Sequence, residues 1–186
     1  KALDLGAVES FPFLDPPSKR AIDEGYHVLE ELGAIDDHGA LTPIGRQLGK
    51  LPIDPRLGRM ILGGVDERAL PEVLVIAAAL GLQDPRERPM AAQQKADAAH
   101  AKWKDEGSDF ASYLKLWAFW QEARGRSSKN QLYRLCRDNF LSFPRMREWE
   151  DIHEQLKRTV RELGFAIDTP PASAEAAHEL APQRPR

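Results

Sequence analysis

The fold is decided by residues 69–82, which read Ala-Leu-Pro-Glu-Val-Leu-Val-Ile-Ala-Ala-Ala-Leu-Gly-Leu. Apolar residues such as Leu74 and Ile76 occupy nearly every face of a helix formed by this segment. A helix that is apolar all round must be covered on every side by other elements. We therefore expect this helix to lie at the centre of the core.

Length and composition are those of a folded protein without internal disulfides. The chain has 186 residues, of which 42% are apolar and 30% charged, and this excludes wholesale disorder. No apolar run approaches the ~20 residues of a membrane-spanning helix, so we expect no membrane contact. Cys136 is the single cysteine, which is typical of a reducing compartment. We expect a cytoplasmic monomer, and, because the chain begins at Lys1, a piece of a longer protein.

The first third of the chain has the pattern of a winged helix with a small β hairpin. Residues 1–17 are a lead-in segment whose prolines exclude a helix interior. Residues 34–42 form two short β-like pieces around an Asp/His/Gly turn. Three N-cap residues open helices, the last two followed by proline: Ser18, Thr42 and Asp54. We place the winged-helix domain at 18–66; because it is acidic and lacks a basic recognition helix, a structural or docking role is favoured over DNA binding.

Residues 67–166 predict a helical bundle, so the fold class is mainly α. After a loop at 83–89, helical patterns cover about 91–104, 108–123, 127–140 and a last segment after Pro144. Aromatic residues at helical spacing are expected to lie in the core: Tyr113, Trp117, Trp120 and Trp149. Residues 167–186 show no apolar periodicity, and we expect a disordered tail.

The charge distribution is uneven, although the net charge is only −3. Residues 1–101 carry 11 basic and 16 acidic groups, whereas residues 102–163 carry 13 basic and 10 acidic groups. Within the second region, residues 124–147 hold seven basic residues against Asp138 alone. Such a local excess predicts either an anion-binding surface or a solvated helix face.

Chemical motifs are absent from this sequence. We find no phosphate-binding loop, no dinucleotide fingerprint, no nucleophile elbow and no metal-ligand spacing. Cys136 falls on an apolar stripe and is interpreted as a small core residue, and His100 has no evident partner. The residues themselves therefore assign no catalytic group, metal or cofactor to this chain.

Two stretches could bind phosphate. Arg86 and Arg88 alternate on a proline-flanked loop that should direct both side chains outward. Asn130, Arg134 and Arg137 share one side of a predicted helix whose other side is apolar. Arginine suits phosphate oxygens, and asparagine can contact a sugar or base. The alternative is that these arginines pair with neighbouring carboxylates.

The sequence also resembles a known family through ordered stretches along its length. They are Phe11-Pro-Phe-Leu-Asp-Pro-Pro17, Leu32-Gly-Ala-Ile-Asp36, Leu41-Thr-Pro-Ile-Gly-Arg46, Leu51-Pro-Ile-Asp-Pro-Arg-Leu-Gly-Arg-Met-Ile-Leu62, Gln83-Asp-Pro-Arg-Glu-Arg-Pro89, Ala96-Asp97 with His100, and Leu135-Cys-Arg-Asp-Asn-Phe-Leu-Ser142 with Arg145-Met-Arg-Glu-Trp149. They resemble the region after the motor of DEAH-box ATP-dependent RNA helicases, and the last pair resembles the bacterial HrpA type. The resemblance covers about residues 7–163.

The resemblance implies a winged helix followed by a helical ratchet domain. In that family, two RecA-like lobes of the same chain bind ATP and Mg2+ and hydrolyse the nucleotide. Single-stranded RNA runs between those lobes and the ratchet. Every catalytic motif would then precede Lys1, so no catalytic residue carries over to this chain. The longer parent protein is expected to be the ATP-dependent helicase. The RNA-facing role carries over to the following positions: Arg86, Arg88, Lys129, Asn130, Arg134, Arg137 and Arg145.

Two other functions remain open. The chain could be a docking platform for a regulatory protein, with the basic face contacting an acidic partner and no direct RNA contact. A winged-helix transcription factor is disfavoured by the acidic first 101 residues.

Overall fold

The fold is taken from a computed structural model that describes Val8 and residues 11–167. Within this range the chain forms the helices α1 (Lys19–Glu31), α2 (Pro43–Leu48), α3 (Pro55–Asp66), α4 (Leu70–Leu80), α5 (Gln93–His100), α6 (Asp109–Arg126), α7 (Lys129–Asp138) and α8 (Phe143–Glu162). The mainly α fold class is confirmed. The tail from residue 168 onward lies outside the described residues.

The chain divides into two compact units, residues 1–60 and residues 61–186. The division falls within α3. The domain boundaries expected from the sequence, 18–66 and 67–166, stay predictions.

The first unit is built on side-chain caps. The Ser18 hydroxyl accepts a hydrogen bond from the Ala21 amide at 3.2 Å, which starts α1 as predicted. The Thr42 hydroxyl accepts from the Gly45 amide at 3.0 Å and donates to the Gly33 carbonyl at 2.6 Å. Thr42 therefore both starts α2 and ties it to the end of the preceding helical segment.

The predicted β-like pieces are reduced to one antiparallel bridge between Ile35 and Leu41. The reason lies in the turn between them. The Asp36 carboxylate accepts hydrogen bonds from the amides of His38 and Ala40, at 3.0 and 2.8 Å. These side-chain bonds close the turn locally and leave only one residue on each side to pair.

The second unit is organised around α4. Leu74, Val75, Ala77 and Ala78 are completely buried, and α4 packs against both α6 and α8. The indole nitrogen of Trp149 on α8 donates a buried hydrogen bond of 2.9 Å to the Val75 carbonyl. The predicted central position of this helix is confirmed.

The predicted core positions on α6 and α8 are confirmed for Trp117, Trp120 and Trp149, whereas Tyr113 is only half-buried. Trp120 on α6 and Met146 and Trp149 on α8 have no exposed surface. The Trp117 and Trp149 rings lie 5.0 Å apart, so aromatic contacts join α6 to α8. The side chains of Ser108 and Ser128 cap α6 and α7.

The helix expected at about 91–104 is shorter and less regular than predicted. The segment instead forms a 3-10 turn at Met90–Ala92, the short helix α5 and a second 3-10 turn at Ala101–Trp103. The second turn brings Trp103 into the core, where its ring lies 5.0 Å from Phe119. The free energy gained by burying the Trp103 side chain exceeds the free energy lost when the regular α-helix ends at His100.

Gly45 lies where α2 comes closest to the chain before it. A Cβ placed on Gly45 would lie 2.0 Å from the Ala34 carbonyl oxygen, which is backbone and cannot move aside.

We expect Gly45→Ala to destabilise the protein by about 3 kcal/mol. The matched control is Gly25→Ala, whose Cβ would meet nothing within 4 Å in α1. It should be neutral or stabilise by up to about 1 kcal/mol. Chemical denaturation measures both; equal stability of the two variants would contradict the close approach.

His153 makes stability depend on pH. It is buried on α8 with its ring 4.7 Å from that of Trp117. Burial, with a smaller contribution from Lys157, lowers the pKa of His153 from 6.5 to about 4. The unfolded chain therefore binds the proton more readily, and stability present above pH 6.5 is lost as the pH falls toward 4.

We expect this loss to reach up to about 3 kcal/mol. His153→Leu should flatten the unfolding free energy between pH 6.5 and 4, relative to the unsubstituted chain. Replacement of the exposed His38 by Gln is the control and should keep the full pH dependence. Parallel curves for His153→Leu and the unsubstituted chain would refute this role.

Candidate nucleic-acid interface

The structure joins the two basic stretches that the sequence presented separately. An antiparallel bridge pairs Arg86 with Leu141. On either side of it, the Glu87 amide donates to the Phe140 carbonyl and the Ser142 amide donates to the Pro85 carbonyl, each at 2.8 Å. The loop at 83–89 and the connection between α7 and α8 therefore form one continuous surface.

His100 fixes the α7–α8 connection from a third segment. Its Nε2 lies 3.1 Å from the carbonyl oxygens of both Asn139 and Phe140, so this nitrogen carries the donated proton. Phe140 has a positive φ of 54°, a conformation that costs energy in a residue with a side chain. The partners of His100 were not evident from the sequence because they lie 39 and 40 residues away.

Arg86 faces inward, contrary to expectation. Its Nη2 donates to the Asp84 carboxylate at 2.7 Å, and its guanidinium lies 5.0 Å from the centre of the Tyr113 ring. Burial opposes ionisation of Asp84, but the hydrogen bonds from Arg86 outweigh it, and the net effect lowers the pKa of this carboxyl. Arg86 therefore stabilises the loop from within.

Arg88 and Arg145 border the same loop. Arg88 points outward as expected, with 61% of its side chain exposed, and pairs with Asp97 at 2.7 Å. Arg145 donates to the Asp84 carbonyl oxygen at 3.1 Å. Arg88 is thus available at the surface, whereas Arg145 holds the loop to the start of α8.

Most arginines of residues 124–147 have carboxylate partners. Arg124 and Arg147 both contact Glu150, whose side chain is only 5% exposed. Exposed pairs join Arg126 to Glu122 at 2.8 Å and Arg137 to Asp138 at 2.9 Å. The predicted alternative of neighbouring ion pairs therefore applies to a large part of the formal positive charge.

Lys129 and Arg134 differ from these arginines. Both are exposed on α7, as is Asn130, and neither cation has a carboxylate partner among the described residues. The opposite side of α7 is held in the core by Leu132 and Cys136. Burial raises the pKa of the Cys136 thiol to about 11, so it stays protonated, as a core residue should.

Tyr133 lies on the same surface, and the sequence analysis missed it. Its side chain is exposed, and its ring lies 5.9 Å from that of Phe143 in an edge-to-face arrangement. Its exposure could have been predicted from its position in the sequence, because Tyr133 is an aromatic residue that does not belong to the apolar stripe of α7. We define the α7 face as Lys129, Asn130, Tyr133, Arg134 and Arg137.

The described residues hold neither a metal centre nor a membrane span. Among them, no group of three or more His, Cys, Asp or Glu side chains could hold a metal ion. None of the helices in this part of the chain is both long and apolar enough to cross a bilayer. The candidate functional site is therefore the basic face of α7, whose opposite side packs in the core.

The chain combines a winged-helix unit with a helical bundle that carries a basic helix face. Residues 26–53 match the helicase-associated (HA2) winged-helix domain, and residues 54–134 match the ratchet-like HA2 domain. The two matches together span more than half of the chain. The chain belongs to the helicase-associated family of DEAH-box RNA helicases, as its resemblance to the HrpA type predicted.

Individual relatives agree with this assignment. The chain is 44% identical over 182 residues to the ATP-dependent RNA helicase HrpA of Escherichia coli, a match that covers 95% of the chain and 14% of the relative. It is also 44% identical over 184 residues to the HrpA homolog of Haemophilus influenzae, with the same coverage. The DExH-box helicase DExH1 of Arabidopsis thaliana is 34% identical over 175 residues, 92% of the chain and 17% of that protein. The chain thus spans about one seventh of the bacterial relatives.

The contact of Arg124 and Arg147 with Glu150 should contribute to stability. Replacing both arginines by Met leaves a buried carboxylate without a cation, which we expect to cost about 3–5 kcal/mol. Adding Glu150→Met should restore most of this loss, because an apolar set of similar volume needs no counter-charge. The control is Arg126→Met at an exposed pair, with an expected change below about 1 kcal/mol. Thermal and urea unfolding measure these differences; a double variant as stable as the control would contradict them.

Proposed function

We propose that this chain is the RNA-gripping accessory region of an ATP-dependent RNA helicase. The observation that carries the proposal is a pair of cations on the exposed side of α7, Lys129 and Arg134, that have no carboxylate partner in the described part of the chain. Membership of the helicase-associated family and the RNA helicase relatives support it. In this proposal the α7 face binds the phosphate backbone of single-stranded RNA.

The physical argument rests on which charges are free. A cation that already has a carboxylate partner loses that contact when it turns to a phosphate, whereas Lys129 and Arg134 lose only water and counterions. Release of counterions from the nucleic acid then favours binding and makes it depend on salt. Because the apolar side of α7 is anchored in the core, the cations are also held on a firm base.

Arg88 and Asn130 extend this surface. Asn130 lies one turn of α7 before Arg134 and can contact sugar or base. Arg88 would exchange its exposed Asp97 partner for a phosphate, a change that costs little because exposed ion pairs are weak. Arg86 and Arg145 would act indirectly, by fixing the loop that carries Arg88.

The parent would supply the chemistry. In this proposal, ATP and Mg2+ bind the RecA-like lobes of the same cytoplasmic, monomeric chain, and the lobes pull RNA while the accessory region limits slippage. The residues described here would bind and orient the strand without making or breaking a bond.

The test is reversal of the two free charges, Lys129→Glu with Arg134→Glu. RNA binding by the chain is measured by fluorescence anisotropy with a single-stranded 12-mer over a series of salt concentrations. We expect at least tenfold weaker binding at low salt. The slope of log affinity against log salt should fall by about 1.4, because each lost phosphate contact on a single strand contributes about 0.7. Melting behaviour should change little, since both substitutions are exposed.

A matched control carries the same charge change elsewhere. Arg158 and Arg161 are exposed on α8, and 15 residues of helix place Arg158 about 22 Å from the start of α8. The variant Arg158→Glu with Arg161→Glu should keep nearly all RNA affinity. An equal loss of RNA affinity in both variants would mean that net charge, and not the α7 face, causes the weaker binding. Unchanged RNA binding in the α7 variant, with lost binding of an acidic peptide, would favour the protein-docking function instead.

A further inference from the structure

A cleft of about 290 Å³ opens beside the α7 face. Its walls come from the loop at 83–89, from α7 and from the start of α8, including Glu87, Tyr133, Ser142 and Phe143. The bridge between Arg86 and Leu141 holds the two sides of the cleft together. The cleft is therefore a product of the tertiary fold and has fixed walls.

Tyr133 is an unusually well-supported exposed aromatic residue. The residue is 58% exposed, and its ring meets the Phe143 ring edge to face at 5.9 Å. The Phe143 ring in turn lies 6.2 Å from that of Trp120, which is completely buried. An aromatic surface that is both exposed and held from behind is suited to stack on a planar ligand, because little side-chain freedom remains to be lost.

Charge decides which part of a nucleotide the cleft can take. Glu87 contributes an exposed carboxylate with no ion pair among the described residues, and a carboxylate repels phosphate. It accepts hydrogen bonds from amino groups, as carboxylates do from the N4 amino group of cytosine. Arg137 also lines the cleft, but it is paired with Asp138 at 2.9 Å. Lys129 and Arg134, which have no carboxylate partner among the described residues, lie outside the cleft lining.

We propose that this cleft binds one unpaired nucleobase carrying an exocyclic amino group, stacked on Tyr133 and hydrogen-bonded to Glu87. The inference rests on the proposed function, since the flanking phosphates would lie on Lys129 and Arg134. Lys129 and Tyr133 are four residues apart and are neighbours on the helix surface. One nucleotide would thus place its phosphate on the helix and its base in the cleft.

The test compares three single-stranded RNA 12-mers with equal phosphate numbers: oligo(C), oligo(U) and an abasic strand. Binding to the full chain is measured by fluorescence anisotropy at one salt concentration. Tyr133→Ala should weaken oligo(C) binding about fivefold or more, leave abasic binding unchanged and keep the salt slope. Tyr133→Phe retains the ring and should bind oligo(C) like the unsubstituted chain.

Glu87→Gln probes the hydrogen bond. It should reduce the preference for oligo(C) over oligo(U), because uracil presents a carbonyl where cytosine presents its amino group. Equal weakening of oligo(C) and the abasic strand by Tyr133→Ala would make its role structural and overturn the proposal.

The failure of the cleft proposal differs from the failure of the RNA-binding proposal. If Tyr133→Ala has no effect while reversal of Lys129 and Arg134 weakens binding, the base site is wrong and the phosphate grip stands. If the unsubstituted chain binds none of the three strands, both proposals fail.

Discussion

The constraint on which the second unit depends is the burial of nearly all of α4. A helix that is apolar on almost every face cannot be stabilised until neighbours cover it, and here α6 and α8 do so. The hydrogen bond from Trp149 to the Val75 carbonyl adds direction to this otherwise apolar contact, because a buried indole N–H needs an acceptor. The position of α8 is set in this way, and the start of α8 in turn supports the loop and the α7 face.

Polar contacts then determine the functional surface. The bridge between Arg86 and Leu141 and the contacts of His100 with two carbonyl groups hold the α7–α8 connection in place. These bonds satisfy backbone groups that would otherwise be costly to bury. They also hold Phe140 in its left-handed conformation. A surface built in this way has a defined shape, in which the basic α7 face borders a cleft of about 290 Å³.

The helices and the core could be read largely from the sequence, because their signals are local. Ser18, Thr42 and Ser128 mark helix starts through a side chain that caps an amide three residues on. The excess of basic residues in 124–147 was also visible in the sequence, but which of these side chains have carboxylate partners could not be predicted. Whether an arginine is free depends on partners such as Glu150, which lies 26 residues from Arg124. The position of His100 and the inward orientation of Arg86 depend in the same way on the assembled fold.

The distribution of ion pairs gives ionic strength two separate effects on this molecule. Mobile ions screen charges exposed to solvent far more than charges within the protein. The carboxylate of Glu150 is enclosed between Arg124 and Arg147, whereas Lys129 and Arg134 lie in water. Concentrated salt should therefore release a bound polyanion while the helical bundle stays assembled. Attachment of a polyanion to this face would then be reversible without any unfolding.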